Sequence, residues 1–306
     1  MGRVIRYPIQ CGRFIGRPFE IQPISSNIMT TTHNALYHAT RNFMARDHQK
    51  DVDELNELIR KKKSINAGLI RQMPPIPFTG NPWSKSKGNC VLLVGINPRW
   101  HERGTKQYEK ELLPSMKHIS SFHSGDNSAF DKYLDSRNDY FKSGMKYGRH
   151  FTFLENRFRE NCYPVENPWE RHIQSIDCIP WFSDDTDDID VEMVALEYLE
   201  HPAFCSYIEV IKCIIDLIEP NWIHINGKFT RLVFEKSFPG YFERMKGMDR
   251  KDGVFVGHCI IGDQQLPLLA HNFAGSRNSP NIEGWKEMMI NWEALVAFLQ
   301  ERRDAS

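Results

Sequence analysis

Apolar residues fall in two rhythms along this chain, and the alternation between them predicts the fold. Short, nearly continuous apolar runs occur at Cys90–Gly95, Ile173–Ile179, Trp222–Asn226 and Leu266–Ala270. Runs of this length, rich in β-branched residues and closed by Gly, Asn or Pro, read as buried strands of a mainly parallel sheet. A fifth run, Val254–Ile261, is expected to pair antiparallel with the last. Between the runs the period lengthens to that of a helix. Ile208, Ile211, Ile214, Ile215 and Ile218 form one helical face over 204–218. Residues 228–238 and 284–302 read as further helices. Leu55, Leu58 and Ile59 place another over 51–72, running through the basic stretch Arg60–Lys63 to Pro74-Pro75-Ile76-Pro77. Residues 1–48, broken by Pro8, Pro18 and Pro23, read as irregular. The expectation is an α/β fold: a three-layer α/β/α sandwich around a central, mainly parallel sheet of four or five strands. Residues 1–75 would form an N-terminal extension with a basic helix, and residues 76–306 the folded domain. In such sheets ligands sit at the carboxyl ends of the strands, so the residues just after each strand matter most.

Composition narrows the class. Of 306 residues, 41% are hydrophobic and 12% aromatic, which excludes a disordered chain. No apolar stretch approaches the length of a membrane span, and Met1–Pro8 lacks the apolar segment of a secretory leader. Lys+Arg and Asp+Glu both number 39, so a polyanionic partner would have to be met by a local patch. The seven cysteines are scattered without a C-x-x-C pair. Buried thiols in a reducing, cytoplasmic compartment are the expectation, with no disulfide framework and no metal or cofactor site.

The first strand runs straight into Gly95-Ile96-Asn97-Pro98. Gly allows close backbone approach, Pro stiffens the turn, and Asn presents a carboxamide at the sheet edge. Val94-Gly95-Ile96-Asn97-Pro98 after a hydrophobic strand resembles the first motif of the uracil-DNA glycosylase superfamily, closest to the mismatch-specific uracil/thymine branch. Two later segments extend the likeness. Phe151 to Phe158, with Asn156-Arg157-Phe158, is similar to the segment whose leading Phe stacks on an extruded base in that branch. Leu268-Leu269-Ala270-His271, followed by Asn272 to Asn278, is similar to the second motif and its minor-groove loop. The likeness covers roughly residues 88–302.

The resemblance implies a metal-independent, monofunctional DNA glycosylase that flips a base out of DNA and hydrolyses its N-glycosidic bond. It implies catalytic roles for Asn97, in placing the attacking water, and for His271, in stabilising the leaving base. Gly95, Ile96, Pro98, Phe151 and, as runner-up, Phe153 would line the base pocket. Arg99, Ser276, Arg277 and Asn278 would contact DNA, with Arg149 and Lys228 on the phosphates. Lys142, Lys146, Arg149, Arg157 and Arg159 could form a basic track, whereas the acidic run 184–190 suits no DNA surface. Asn97 cannot itself be a base, because a carboxamide takes up no proton near neutral pH.

Three departures bear on the substrate. Arg99-Trp100 follow the first motif, the second motif reads His271-Asn272, and Asp177 stands where a uracil-reading Asn is usual in the family. A carboxylate only accepts, which suits the exocyclic amine of cytosine. The expected substrate is therefore a hydroxymethylated or glucosylated cytosine of phage DNA, with a role in antiviral defence. The alternatives are mismatch uracil/thymine repair, or a catalytically silent nucleic-acid binder on the same fold. A hydrolase of nucleosides or nucleotides is a third, less favoured because the chain lacks a G-x-S-x-G elbow and a P-loop. The protein is expected to be monomeric, with DNA as its partner and no membrane.

Overall fold

All five apolar runs become strands of one sheet in the computed structural model, which describes residues 26–62, 68–98, 113–142, 148–183, 189–245, 253–274 and 280–292. The strands are β1 (Val91–Gly95), β2 (Ile173–Asp177), β3 (Trp222–Asn226), β4 (Gly240–Arg244), β5 (Phe255–Ile261) and β6 (Gln264–His271). Their spatial order is β2-β1-β3-β6-β5-β4. The first four run parallel, and β5 pairs antiparallel with β6 as its sequence predicts. The fold is the expected mixed α/β architecture with a mostly parallel sheet.

The sheet has six strands, one more than the upper expectation. The additional strand, β4, pairs antiparallel with β5 at the sheet's edge. Its sequence, Gly-Tyr-Phe-Glu-Arg, is short and largely exposed, so no buried apolar run announces it. A charged, open edge of this kind also discourages pairing with other chains.

The helices are α1 (Ser26–Met44), α2 (His48–Lys62), α3 (Leu113–His123), α4 (Asn127–Asn138), α5 (Gly148–Asn161), α6 (Pro168–Arg171), α7 (Val191–Glu197), α8 (Pro202–Ile218), α9 (Lys228–Ser237) and α10 (residues 282–292). Strand side chains alternate between the two faces of the sheet. One face carries Leu92, Val94, Ile176, Ile223, Ile225 and Leu268 into a core shared with α1 to α4 and α7 to α9. The other face carries Val91, Leu93, Ile173, Trp222 and Leu269. It is roofed by Leu154 and Phe158 of α5, Trp169 of α6, and Trp285, Met288 and Trp292 of α10.

The helical face of α8 is the strongest local signal. Phe204, Ile208, Ile211, Ile214, Ile215 and Ile218 are all buried. Each such side chain contributes about 1.5–3 kcal/mol of transfer free energy. The helix starts on His201, whose Nδ1 accepts from the Ala203 amide 3.2 Å away, with Pro202 at the first helical position. It ends where Glu219 turns left-handed (φ 42°) ahead of Pro220.

Two expectations for the N-terminal quarter are corrected. Residues 26–44, expected to be irregular, form α1, which packs along α8. Leu36, Thr40, Phe43 and Met44 make its buried stripe, and the Thr40 hydroxyl donates to the Leu36 carbonyl at 2.8 Å. A buried hydroxyl satisfied within its own helix behaves as an apolar position, which the sequence pattern hides. The helix expected over 51–72 does not extend that far: it is seen over His48–Lys62, positions 63–67 lie outside the described residues, and Leu69 instead bridges Ser183. Leu36, Phe43, Val52, Leu55 and Ile59 share one core with the sheet. The helix expected over 284–302 is seen over 282–292, and positions 293–302 lie outside the described residues. No helix among the described residues is long and apolar enough to cross a membrane.

Candidate active site

Register alone gathers the chemistry. Asp177 pairs with Gly95, Val94 pairs with Ile225, and Asn226 pairs with His271. Asp177, Gly95, Asn226 and His271 therefore stand level on four neighbouring strands, at the carboxyl edge. Neighbouring strands lie about 4.8 Å apart, so the row spans roughly 14 Å. Strand alternation puts all four on the face roofed by α5 and α10.

Gly95 is a gap in this row. A Cβ built there would stand 2.4 Å from Asp177 Oδ1, so the Asp177 carboxyl leans across β1 into space that any side chain would fill. Beyond the strands the two chains stay together. Cys178 and Ile179 donate to the carbonyls of Gly95 and Ile96, both at 2.9 Å, and Ser183 donates to Pro98 at 3.2 Å. On the other side the Gly227 amide donates to the His271 carbonyl at 2.9 Å. The backbone at Gly227 (φ 128°) lies in the region that favours glycine. A Cβ there would lie 3.5 Å from Ile96 and 3.8 Å from Phe273.

Asn97 is held by its nitrogen. Nδ2 donates to Ser183 Oγ at 2.8 Å and lies 3.1 and 3.3 Å from the carbonyls of Pro98 and Trp181. Two carbonyls fix the orientation of the carboxamide, since oxygen facing oxygen would repel. Its Oδ1 is buried and has no hydrogen-bond partner among the described residues. Buried acceptors left bare are rare and carry a free-energy cost, so this oxygen is set to receive a donor from a water or a ligand.

His271 is only 2% exposed, and both of its ring nitrogens are engaged. Nδ1 lies 2.6 Å from the Asn272 carbonyl and must carry the proton. Nε2 lies 2.8 Å from Nε2 of His224, which is fully buried. With Nδ1 protonated, His271 Nε2 accepts, so His224 Nε2 donates. His224 Nδ1 then accepts from the Trp222 indole at 3.4 Å. The result is a directed chain, Trp222 to His224 to His271 to the Asn272 carbonyl. Burial pushes His271 down to about 4 and His224 well below the usual histidine range, where the neighbouring ring also opposes its charge. Trp285 stacks on His224, with ring centres 5.4 Å apart, and Phe158 meets it edge-on at 4.9 Å. In this arrangement His271 offers no spare N–H to a leaving base. It fastens the segment after β6, which Asn226 also holds by accepting from the Ala274 amide at 2.8 Å.

Asp177 is the ionisable contrast. Burial raises its carboxyl to about 7, with no charged neighbour contributing. Its backbone carbonyl takes the Tyr207 hydroxyl at 2.7 Å, which fixes the end of β2 on α8.

The remaining expected site residues scatter. Ile96 and Pro98 are half-buried at the edge, beside Asn97. Lys228 is exposed at the first position of α9, directly after Gly227. Phe151 lies edge-on to Phe141 and Trp169, both at 5.2 Å, and to Tyr140 at 6.0 Å. Trp169 precedes β2, so these contacts set Phe151 against the amino end of that strand, away from Asp177. Phe153 lies under the Arg157 guanidinium at 4.8 Å. Arg157 also pairs with Glu160 at 2.7 Å and is mostly covered, so it is not available to a phosphate track. Arg149 falls in α5, but its side chain is outside the described residues, as are Arg99, Ser276, Arg277 and Asn278.

The sequence reading missed His224, Asn226, Trp181 and Ser183 as members of this edge. Asn226 could have been found, because it closes β3 as Gly95 and His271 close β1 and β6. His224 sits mid-strand in an apolar run, where a histidine reads as core. Among the described residues no group of three or more His, Cys, Asp or Glu is arranged to hold a metal ion. No protein-family model matches the chain, and no curated protein is significantly similar to it.

Proposed function

We propose that the protein is a DNA glycosylase that hydrolyses the N-glycosidic bond of an extruded base, with a modified cytosine of phage DNA as its substrate. The observation that carries this reading is Asn97: two residues past the end of β1, its nitrogen has three acceptors within reach while its buried oxygen has no partner among the described residues. A fixed acceptor with no proton of its own suits holding a water for attack on the sugar's anomeric carbon. Extruding a base from duplex DNA costs a few kcal/mol, which stacking must help offset. Phe273, exposed beside Gly227, gives the edge an aromatic face worth about 1–3 kcal/mol to a stacked base. It is better placed for that role than Phe151. Lys228 adds a cation on the same side, where it can meet a phosphate.

The engagement of both His271 nitrogens favours a second reading, a nucleic-acid binder on this fold that breaks no bond. One experiment separates the two. Duplex oligonucleotides carry uracil, a thymine mismatch, 5-hydroxymethylcytosine or its glucosylated form at one position, and abasic sites are read by alkaline cleavage. The glycosylase reading expects cleavage at a modified cytosine and its loss in Asn97→Ala. Tight binding with no cleavage of any oligonucleotide would support the binder.

A further inference from the structure

We propose that Asp177 is the acid of this reaction: as a carboxylic acid it pairs with the N3 and N4 edge of an extruded cytosine-type base and passes its proton to N3 as the glycosidic bond breaks. The proposal rests on the glycosylase reading of this edge and names the group that does its proton transfer.

Position comes first. Asp177 ends β2 level with Gly95, and its carboxyl leans over the one strand end in the row that carries no side chain. The other polar side chains at or near this edge are ruled out in turn. The Asn97 carboxamide does not ionise at working pH. Asn226 Oδ1 is taken by the Ala274 amide. His224 and His271 spend their ring nitrogens on each other, on Trp222 and on Asn272. Asp177 is the titratable side chain left at this level among the described residues.

The surroundings favour the protonated form. Tyr207 of α8 and Cys178 of the same chain segment are kept protonated by burial, so neither adds a charge. His224 and His271, on the neighbouring strands, are held neutral. On α5, Glu155 accepts from the Trp169 indole and Arg157 is paired with Glu160. β1 offers only Gly95. Among the described residues no cation holds the carboxyl ionised, and burial lifts it to about 7.

The chemistry then selects the base. Cytosine presents an acceptor at N3 beside a donor at N4, and a carboxylic acid presents one donor beside one acceptor. Two hydrogen bonds form together, and the proton already points at N3. Uracil carries hydrogen on N3 and cannot receive it there. In the step itself, the Asp177 O–H bond breaks and an N3–H bond forms. The C1′–N1 bond breaks, and its electron pair leaves with the base, which departs neutral. The oxygen of water bonds to C1′, and its surplus proton passes to bulk water or back to the Asp177 carboxylate. Nothing is oxidised or reduced.

The test is a single-turnover pH profile on a duplex carrying one 5-hydroxymethylcytosine, for wild type, Asp177→Asn and Asp177→Glu. An acid must be protonated to act, so the wild-type rate should be level below about pH 7 and fall roughly tenfold per pH unit above it. Asp177→Asn keeps a donor beside an acceptor and should bind this DNA within about threefold of wild type. Its rate should drop by about 100-fold or more, without the descending limb. Asp177→Glu should recover part of the rate with a displaced limb, and it decides the matter if the Asn variant does not fold. A wild-type rate in Asp177→Asn, or an unmoved limb in either variant, overturns the proposal and leaves the glycosylase reading standing. A wild type that releases no base from hydroxymethylcytosine or uracil DNA at any pH overturns both.

Discussion

Asp177→Asn should make the free protein more stable at pH 8. The folded chain holds this carboxyl at about 7 against an ordinary value of 3.8, a difference of about three pH units. At 1.36 kcal/mol per unit that is about 4 kcal/mol, and the carboxyl's partly open side reduces the expectation to about 2–4 kcal/mol. The sign follows from linkage. The folded-state value is raised, so the stability contribution is full below about pH 4, falls as pH rises, and is lost by the time pH has passed 7. At pH 8 the wild type carries a desolvated carboxylate with no cation beside it among the described residues, whereas the Asn variant has a neutral group of nearly the same size. The gap between the two should open between about pH 4 and 7 and stay level above. Thermal melts across this range provide the assay. At about 2–4 °C per kcal/mol for a large domain, the variant should melt several degrees higher at pH 8. A gap that does not change with pH, or a variant less stable at pH 8, would refute the reasoning. Removal of a functional group that gains stability while losing activity is the usual trade at an active site.

Other outcomes follow from the same edge. His224→Phe keeps the ring contacts to Trp285 and Phe158 but strands the Trp222 indole and His271 Nε2, at about 1–3 kcal/mol each; a loss below about 1 kcal/mol in urea unfolding would mean the chain of bonds is not formed. Nitrogen-15 spectra of the wild type should show His271 protonated on Nδ1 and His224 on Nε2 near neutral pH, and the opposite tautomers would undo the assignment. His48, held at about 4 by burial, joins His224 and His271 as histidines that must charge in acid. Their values are lowered in the fold, so stability should be full above about pH 6.5 and fall as pH drops towards 4, by up to about 4 kcal/mol per unit, partly offset by Asp177; urea midpoints that stay flat over that range would count against neutral burial. Gly95→Ala places a methyl 2.4 Å from Asp177 Oδ1, so it should cost about 1–3 kcal/mol and abolish base release; wild-type activity in that variant would show that the gap over β1 is not used.

The parts of this molecule that were legible in sequence are those where burial and pattern coincide. β1, β2, β3 and β6 are short and buried, and α8 shows an isoleucine face, so sheet and layers follow from the residues alone. β4 escaped because an exposed edge strand has no apolar signature, and α1 because Thr40 buries a hydroxyl that its own helix satisfies. For the site, the rule that ligands lie at strand carboxyl ends found Asn97, Asp177 and His271, and strand register then set them level or nearly so. What pattern could not supply was partnership. Nothing local to His271 says that His224, 47 positions earlier, takes up its Nε2. Nothing local to Phe151 says that Phe141 and Trp169 meet its ring edge-on.

The most direct test of the central claim is mass spectrometry of what leaves DNA. Duplexes identical except for one uracil or one 5-hydroxymethylcytosine are incubated with wild type and with Asn97→Ala, and the free base and the abasic strand are both quantified. The account predicts free hydroxymethylcytosine in equal amount to abasic strand, little or no uracil, and neither product from the Asn97→Ala protein. Intact DNA with wild type, or equal release by Asn97→Ala, would contradict it.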